Sequence, residues 1–469
     1  MPSFNVRSLR GVLGCACLVF GCNQAAGIDE VGDKPPLRPG ECRTHTDCID
    51  ASSEYAPDVC VNDRCVPLLT DECPLALPQT GNGWLAALRK TGPQALIVGA
   101  YSWMGAHPFD DALHNYDLAL TELANTTGGV PVGGETRPVI ALACQRTSAT
   151  PEGLDASAHH LIDELEVPVL LNGLFTEDSQ YIFEQFGHDR HVFFLSPFEG
   201  SEDKGATPDD GLIWSILPPI TDLAPAYGAL VQRARRHLID TGVLQPDEPP
   251  RIAMLRANDV RELNNLASAI TDSLDLTAED GPSAQFASFN VESSQNRSPP
   301  PDYSDTIVAL KAFEPQIVIG VTTNELASTI MPALEDSDLE TKPFYVLSYP
   351  QYQSNELPQQ FDRFPDLYSR IAGVNFSAAV DPAPYDRYAA RFRSAFTDPT
   401  LSVHAENTYD AMYYLLYSLV AARKELPMTG SDLVTGMRHL LTGRVNVEVG
   451  PADLPEGFKA LAAADSSIT

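Results

Sequence analysis

The chain has 469 residues with 63 Asp and Glu against 31 Lys and Arg, a formal net charge of −32. That balance excludes nucleic acid and anionic membrane surfaces as partners, because neutralising phosphates needs clustered Lys and Arg. The length exceeds one ordinary domain and is enough for two lobes with cores of their own.

At the start, Arg7 and Arg10 precede the apolar run GVLGCACLVFG, residues 11–21. The run is too short for a membrane span, which needs about 20 apolar residues. A basic segment, a short apolar segment and a small residue before a cut form the pattern of a secretory signal, here residues 1–21. Val19-Phe20-Gly21-Cys22 resembles a bacterial lipobox, which implies a diacylated Cys22 as the mature N-terminus. Val12-Leu13-Gly14-Cys15 is a rival lipobox that leaves almost no apolar segment ahead of it. Residues 22–41 follow, rich in Gly, Pro and acids with no apolar periodicity, and read as a tether reaching on the order of 25 Å.

Setting Cys15, Cys17 and Cys22 aside leaves Cys42, Cys48, Cys60, Cys65, Cys73 and Cys144. An even number in an oxidising compartment predicts three disulfides, with the connectivity open. Five of the six are spaced C-x5-C-x11-C-x4-C-x7-C, which predicts a small cystine-stapled module over 42–74. A zinc site helped by His45 and Asp47 competes, but the paired C-x2-C spacing of structural zinc sites is missing, so no metal is expected.

From about residue 92 short apolar runs alternate with amphipathic stretches. The runs are 95–100, 138–143, 167–172, 191–196, 251–256, 315–321, 343–348 and 371–376, rich in Val, Ile and Phe, as strands buried on both faces should be. Helical patterns lie between them at 109–124, 155–166, 221–240, 259–274, 303–313 and 323–335. Strand followed by helix is the signature of parallel sheets covered on both faces, so the fold class is α/β. The strands form two clusters joined near Pro218-Pro219, and a mostly helical tail runs from about 384. Its best helix, 405–423, carries Tyr409, Met412, Tyr413, Leu416 and Val420 on one face, a core stripe.

Reaction motifs are missing: no nucleophile elbow, no zinc-protease helix motif, no phosphate loop, no dinucleotide fingerprint and no calcium loop. The chain is therefore expected not to be an enzyme and to need no cofactor. His159 and His160 are consecutive on a helix, cannot both face one metal, and read as a solvated pair. In open α/β sheets, ligands bind beyond the carboxyl ends of the strands. The loops there supply the candidate ligand-binding residues: Ser102, Trp103, Thr176, Ser196 and Phe198 from the first cluster, Asp259, Thr322, Asn324 and Tyr349 from the second. Thr176, Asp259 and Thr323 read equally well as helix caps, and Trp103 as a lip residue packed on a neighbour.

Over roughly 92–469 the ordered segments LIVGAYS, PVGGETRPVIAL, VPVLLNGLFTEDSQ, HVFFLSPFEGSE, RIAMLRANDV, DYSDTIVALKAFEPQIVIGVTTNELASTIMPAL and AENTYDAMYYLLYSLVAA resemble the type I periplasmic solute-binding proteins. Within them the resemblance is to the branched-chain amino acid (Leu/Ile/Val) binding group of ABC transporters. It implies two Rossmann-like lobes with parallel sheets joined by a three-stranded hinge, lobe 1 from 92–215 plus 373–469 and lobe 2 from 216–372. Thr176 matches a family serine that holds the ligand carboxylate, Asn324 lies close to a second-lobe aromatic that contacts ligand, and Tyr349 lies in the loop that supplies an acid for the ligand amino group. The departures are specific. Asp259-Val260-Arg261 replaces an expected second-lobe tyrosine, and no acid sits at Tyr349. The family's first-lobe disulfide is altered because Phe175 stands at one half-cystine, which makes Cys73 the expected partner of Cys144. After Val449-Gly450-Pro451-Ala452 the family continues into a third hinge strand, so truncation or a different completion of lobe 2 is expected.

The function expected is a lipid-anchored receptor of the bacterial cell envelope, on its periplasmic face and by the residue after Cys22 at the outer membrane. It captures a small polar or amino-acid-like ligand between its lobes for ABC-type uptake or sensing. The expected partners are that ligand and an ABC permease or another envelope protein, with membrane contact only through the anchor. The alternative is an envelope interaction protein that keeps the fold without ligand.

Overall fold

The computed structural model describes residues 37–38, 40–49, 57–80, 83–90, 94–101, 111–145, 151–174, 176–197, 208–276, 285–294, 299–352, 356–375, 382–397, 405–441, 443–463 and 467–468. The expected signal, Cys22 and most of the tether lie outside them, as do Ser102, Trp103 and Phe198.

The cysteine-rich segment folds as a short helix, His45–Ile49, beside an antiparallel hairpin of β1 (Asp58–Val61) and β2 (Arg64–Pro67). The hairpin turns on Asn62 and Asp63, both at positive φ (47° and 64°), the conformation a two-residue turn needs and Asn and Asp tolerate. Cys42 bonds Cys60 and Cys48 bonds Cys65, so both strands are stapled to the helix end of the module.

The module runs straight into the first sheet. β3 (Leu75–Leu77) pairs antiparallel with β7 (Val139–Cys144), and a third disulfide joins Cys73 to Cys144 beside that pairing. The other members are parallel: β4 (Leu96–Tyr101), β8 (Val169–Asn172), β9 (Phe193–Ser196) and β10 (Ile213–Ser215), in the order β10-β9-β8-β4-β7-β3. A small hairpin, β5 (Val130–Val132) with β6 (Glu135–Arg137), precedes β7. One core serves this sheet, and it takes in residues from Ile49 to Ile213 together with Tyr388 to Ile468. The C-terminal helices Ala405–Ala421, Gly430–Arg438 and Leu454–Ala462 therefore return to the first sheet.

The second sheet is parallel throughout, in the order β12-β11-β13-β14-β15: β11 (Ile252–Ala257), β12 (Phe286–Val291), β13 (Ile317–Val321), β14 (Phe344–Leu347) and β15 (Ile371–Gly373). Its strands send alternate residues to opposite faces. Ile252, Met254, Ile317, Ile319, Phe344 and Val346 enter one core with the helices Ala224–Asp240 and Arg261–Ser273. Ala253, Leu255, Val318, Tyr345 and Leu347 enter another under Ser304–Phe313 and Leu357–Arg363. In β11, β13 and β14 both faces are apolar because both are covered, which is why these three read as apolar runs.

The fold is α/β with two parallel sheets behind a disulfide-stapled module. Among the described residues the chain leaves the first sheet after β10, no strand follows β15, and the chain is back in the first core by Tyr388. One correction concerns His160, which is buried rather than solvated: its Nδ1 pairs with Glu164 at 2.7 Å and its Nε2 with the Leu68 carbonyl at 3.2 Å. Only His159 of that pair is exposed.

Candidate functional site

At the carboxyl end of the first sheet, β4 finishes at Tyr101, whose buried hydroxyl meets Ser157 Oγ at 3.0 Å. Asn172 ends β8; its Oδ1 accepts from Leu174 N at 3.3 Å and its amide donates to Ser179 Oγ. That pair of bonds shapes the turn into the helix Thr176–Ile182, which begins on the candidate Thr176. Ser196 ends β9 fully buried, and its carbonyl accepts from Ile216 N at 3.0 Å, so it braces the exit toward the second sheet.

The second sheet presents a denser polar network. Asp259 does not cap the helix that follows it, since the cap position is Val260 with no side-chain bond. Its carboxylate instead accepts Ser293 N at 2.9 and 3.0 Å, which corrects the cap reading and ties the loop after β11 to the loop after β12. Ser293 Oγ meets Thr323 Oγ1 at 3.0 Å, and Thr323 Oγ1 donates to Glu325 Oε1 at 2.5 Å, which extends the tie to the loop after β13. Glu325 is fully buried and also accepts from Ser294 N at 2.6 Å and Ser294 Oγ at 2.7 Å. Burial pushes its carboxyl up, but the donors from Thr323 and Ser294 outweigh burial and hold it below the usual range.

Thr322 is buried; its hydroxyl accepts from the Gln351 amide and its carbonyl from Ser348 Oγ at 3.0 Å. Asn324 is half-buried, and its carbonyl accepts Ser328 N at 2.9 Å as the chain turns helical. Tyr349 packs on the core beneath the helices Ala224–Asp240 and Arg261–Ser273, where burial and then the Glu262 charge push its phenol up to about 12. Asp259, Thr322, Asn324 and Tyr349 thus gather at one end of one sheet. The sequence reading missed Glu325, Ser293 and Ser294. The two serines follow β12, whose residues alternate in exposure and give no continuous apolar run; Glu325 stood in view as one acid of a polar loop.

The two carboxyl ends meet. Arg261, the first residue of the helix after β11, donates from Nη1 to Gln180 Oε1 in the helix after β8 at 2.6 Å. Its Nε also stands 3.9 Å from Glu177 Oε1. Both helices start where their strands end, so this contact brings the carboxyl ends of the two sheets against each other.

Other concave or ligand-like places lie elsewhere. A cavity of about 290 Å³ between the module and the first lobe is lined by Thr44, His45, Asp47, Leu88, Lys90 and Gln94, at the amino end of β4. The sulfurs of Cys42, Cys48 and Cys65 lie within 4.8 Å of one another, but all three are in disulfides. A cystine sulfur is no thiolate, so this cluster is not the zinc site considered from the sequence. Asp47 accepts from Arg43 N at 2.9 Å and Thr44 N at 2.8 Å, reaching back from the first turn of the module helix to fix the chain that enters it.

No family model and no curated protein matches the chain. Solved structures do resemble it. One is the branched-chain amino acid transporter substrate-binding protein LivJ of Streptococcus pneumoniae in complex with isoleucine, 10% identical, TM-score 0.50, covering 73% of this chain and 88% of that one. A second is a solute-binding protein of an ABC transporter from R. palustris in complex with 4-hydroxybenzoate, 12% identical, TM-score 0.53, covering 73% and 84%. A third is a fatty acid ABC transporter substrate-binding protein from Thermomonospora curvata, 14% identical, TM-score 0.50, covering 76% and 83%. At such identities the likeness shows the fold, which is that of the type I periplasmic binding proteins.

Proposed function

Proceeding from the type I periplasmic-binding fold, we propose that this chain is a solute-binding receptor that captures a small ligand in the cleft between its two lobes and performs no chemistry on it. The lobes are 92–215 with 373–469 and 216–372. The observation that supports the reading is the Arg261–Gln180 contact, which brings together the helices that follow β8 and β11 at the carboxyl ends of the two sheets, where open α/β folds bind ligands. The ligands named for the three structural neighbours, isoleucine, 4-hydroxybenzoate and a fatty acid, differ in size and share a carboxylate beside an apolar body. A small carboxylate-bearing molecule is accordingly the first class to try. Thr176 in the first lobe and Asn324 in the second are the residues proposed to contact it, with Ser102, Trp103 and Phe198 as further candidates.

The receptor is proposed to work at the periplasmic face of the cell envelope, tethered by a lipid on Cys22 and with the outer membrane as its site. Its downstream partner is proposed to be an ABC permease or another envelope protein. No helix among the described residues is long and apolar enough to cross a membrane.

A thermal-shift panel of amino acids, aromatic acids and fatty acids tests the binding. A true ligand at 100 times its dissociation constant stabilises by about 2.7 kcal/mol. Thr176→Ala with Asn324→Ala should abolish that shift while ligand-free stability stays within about 1 kcal/mol. A panel in which nothing shifts the wild type would count against the receptor reading, and a shift that survives the double substitution would displace these contacts. Cys22→Ala with labelled palmitate tests the anchor separately: label retained on the variant would refute it.

A further inference from the structure

Arg261 opens the helix Arg261–Ser273, preceded by Val260 in extended backbone. A helix N-terminus carries partial positive charge and favours acids, so a guanidinium there is held against the local field. Its side chain is directed away from its own lobe. It reaches Gln180, which is only 8% exposed, and passes within ion-pairing range of Glu177. The position also explains the departure noted in the sequence: where the resemblance calls for a ligand-contacting tyrosine, Asp259 is spent on bracing Ser293 and Arg261 on crossing the cleft.

We propose that Arg261 is a cross-cleft clasp that holds the two lobes closed in the ligand-free protein. Closure is then set by a contact between the lobes as well as by what lies between them. The charged hydrogen bond to a largely buried amide does most of the holding. The Glu177 pair is partly exposed on both sides and screened by salt, so it contributes less. Contacts of this strength match the modest free-energy gap between open and closed states of a two-lobed protein, so the clasp biases the population without locking it. This inference rests on the cleft of the reading above but concerns the empty protein, so the ligand panel and the test below fail independently.

The test is small-angle X-ray scattering on ligand-free full-length protein, comparing wild type with Arg261→Ala and Gln180→Ala at low and high salt. Each substitution removes one side of the main contact, so both should raise the radius of gyration. Circular dichroism and the melting temperature serve as the check on folding. Wild type should expand partway as salt rises, and Glu177→Gln should reproduce that partial expansion at low salt. If Arg261→Ala fails to fold, Gln180→Ala alone carries the comparison. A radius unchanged in the folded variants would overturn the clasp.

Discussion

Cys73 and Cys144, separated by 71 residues in sequence, are bonded with their α-carbons 4.0 Å apart, directly beside the antiparallel pairing of Leu75 with Ala143. The bond welds the cystine module to the edge of the first sheet, where a three-residue strand alone would hold weakly. Removing it with Cys73→Ala and Cys144→Ala opens a long loop in the unfolded chain and should cost about 4 kcal/mol. Urea unfolding followed by a probe in each lobe should show the loss in the first-lobe transition, with the second-lobe midpoint unchanged.

His45 is the second joint between module and lobe. Its Nδ1 accepts Cys60 N at 3.1 Å and its Nε2 meets the Ala95 carbonyl at 3.3 Å, so the ring bridges hairpin and β4 as the neutral tautomer with the proton on Nε2. Burial lowers its pKa more than the Ala95 bond raises it. A folded pKa below the unfolded 6.5 means that stability is fully present above about pH 6.5 and drains away as pH falls from there toward the folded value. His45→Gln should flatten that part of the stability–pH curve, at a cost of about 1–2 kcal/mol near neutrality. Urea titrations between about pH 7 and pH 5 measure it, and an unchanged slope in the variant would refute the assignment to His45.

The seven strands inside the two sheets, β4, β7, β8, β9, β11, β13 and β14, were legible because each is apolar on both faces, and the edge strand β15 because its three residues sit in a longer apolar run. What escaped reading is short or half-exposed: β3 and β10 have three residues each, and β12 alternates half-buried Ala287 and Phe289 with exposed Ser288 and Asn290. For the same reason the site was legible only in outline. Residue type and loop position placed Asp259, Thr322 and Asn324 at the right end of the second sheet. Their partners depend on which loops stand side by side, and that follows from the strand order β12-β11-β13, which the linear sequence does not print.

A partly buried ion pair stitches the C-terminal helices to the first lobe. Glu122 accepts Arg391 Nε at 2.8 Å and the Tyr413 hydroxyl at 2.7 Å, with the Tyr409 hydroxyl as a further donor. Arg391→Met leaves the Glu122 carboxylate short of its cation but still bonded to both tyrosines, and should destabilise by about 1–3 kcal/mol. Adding Glu122→Gln should recover part of that loss, because the uncompensated charge goes. A thermodynamic cycle by urea unfolding reads the coupling; strictly additive effects would mean the pair is not the stabilising unit.

Glu325 couples the architecture of the proposed cleft to acid pH. Its Oε1 gathers donors from Thr323 and Ser294, and through Ser293 and Asp259 the same network spans the loops after β11, β12 and β13. Desolvation opposes ionisation here, yet the donors win and the folded pKa lies below the ordinary 4.5. The sign is therefore opposite to that of a carboxyl trapped in an apolar pocket: the contribution is present above about pH 4.5 and is lost as pH falls through the lowered value. Glu325→Gln keeps the size but cannot carry the charge that strengthens these bonds, and one of its amide positions turns donor among donors. It should cost about 2 kcal/mol at neutral pH and remove this acid-limb contribution from the stability curve. The His45 contribution begins to fall below about pH 6.5 and the Glu325 contribution below about pH 4.5, so the two single variants in one series of urea titrations assign each limb. Because the three loops form one wall of the proposed cleft, the variant should also weaken any ligand found by the thermal-shift panel. A variant with wild-type affinity and a wild-type acid limb would show that the network neither shapes the wall nor titrates with it.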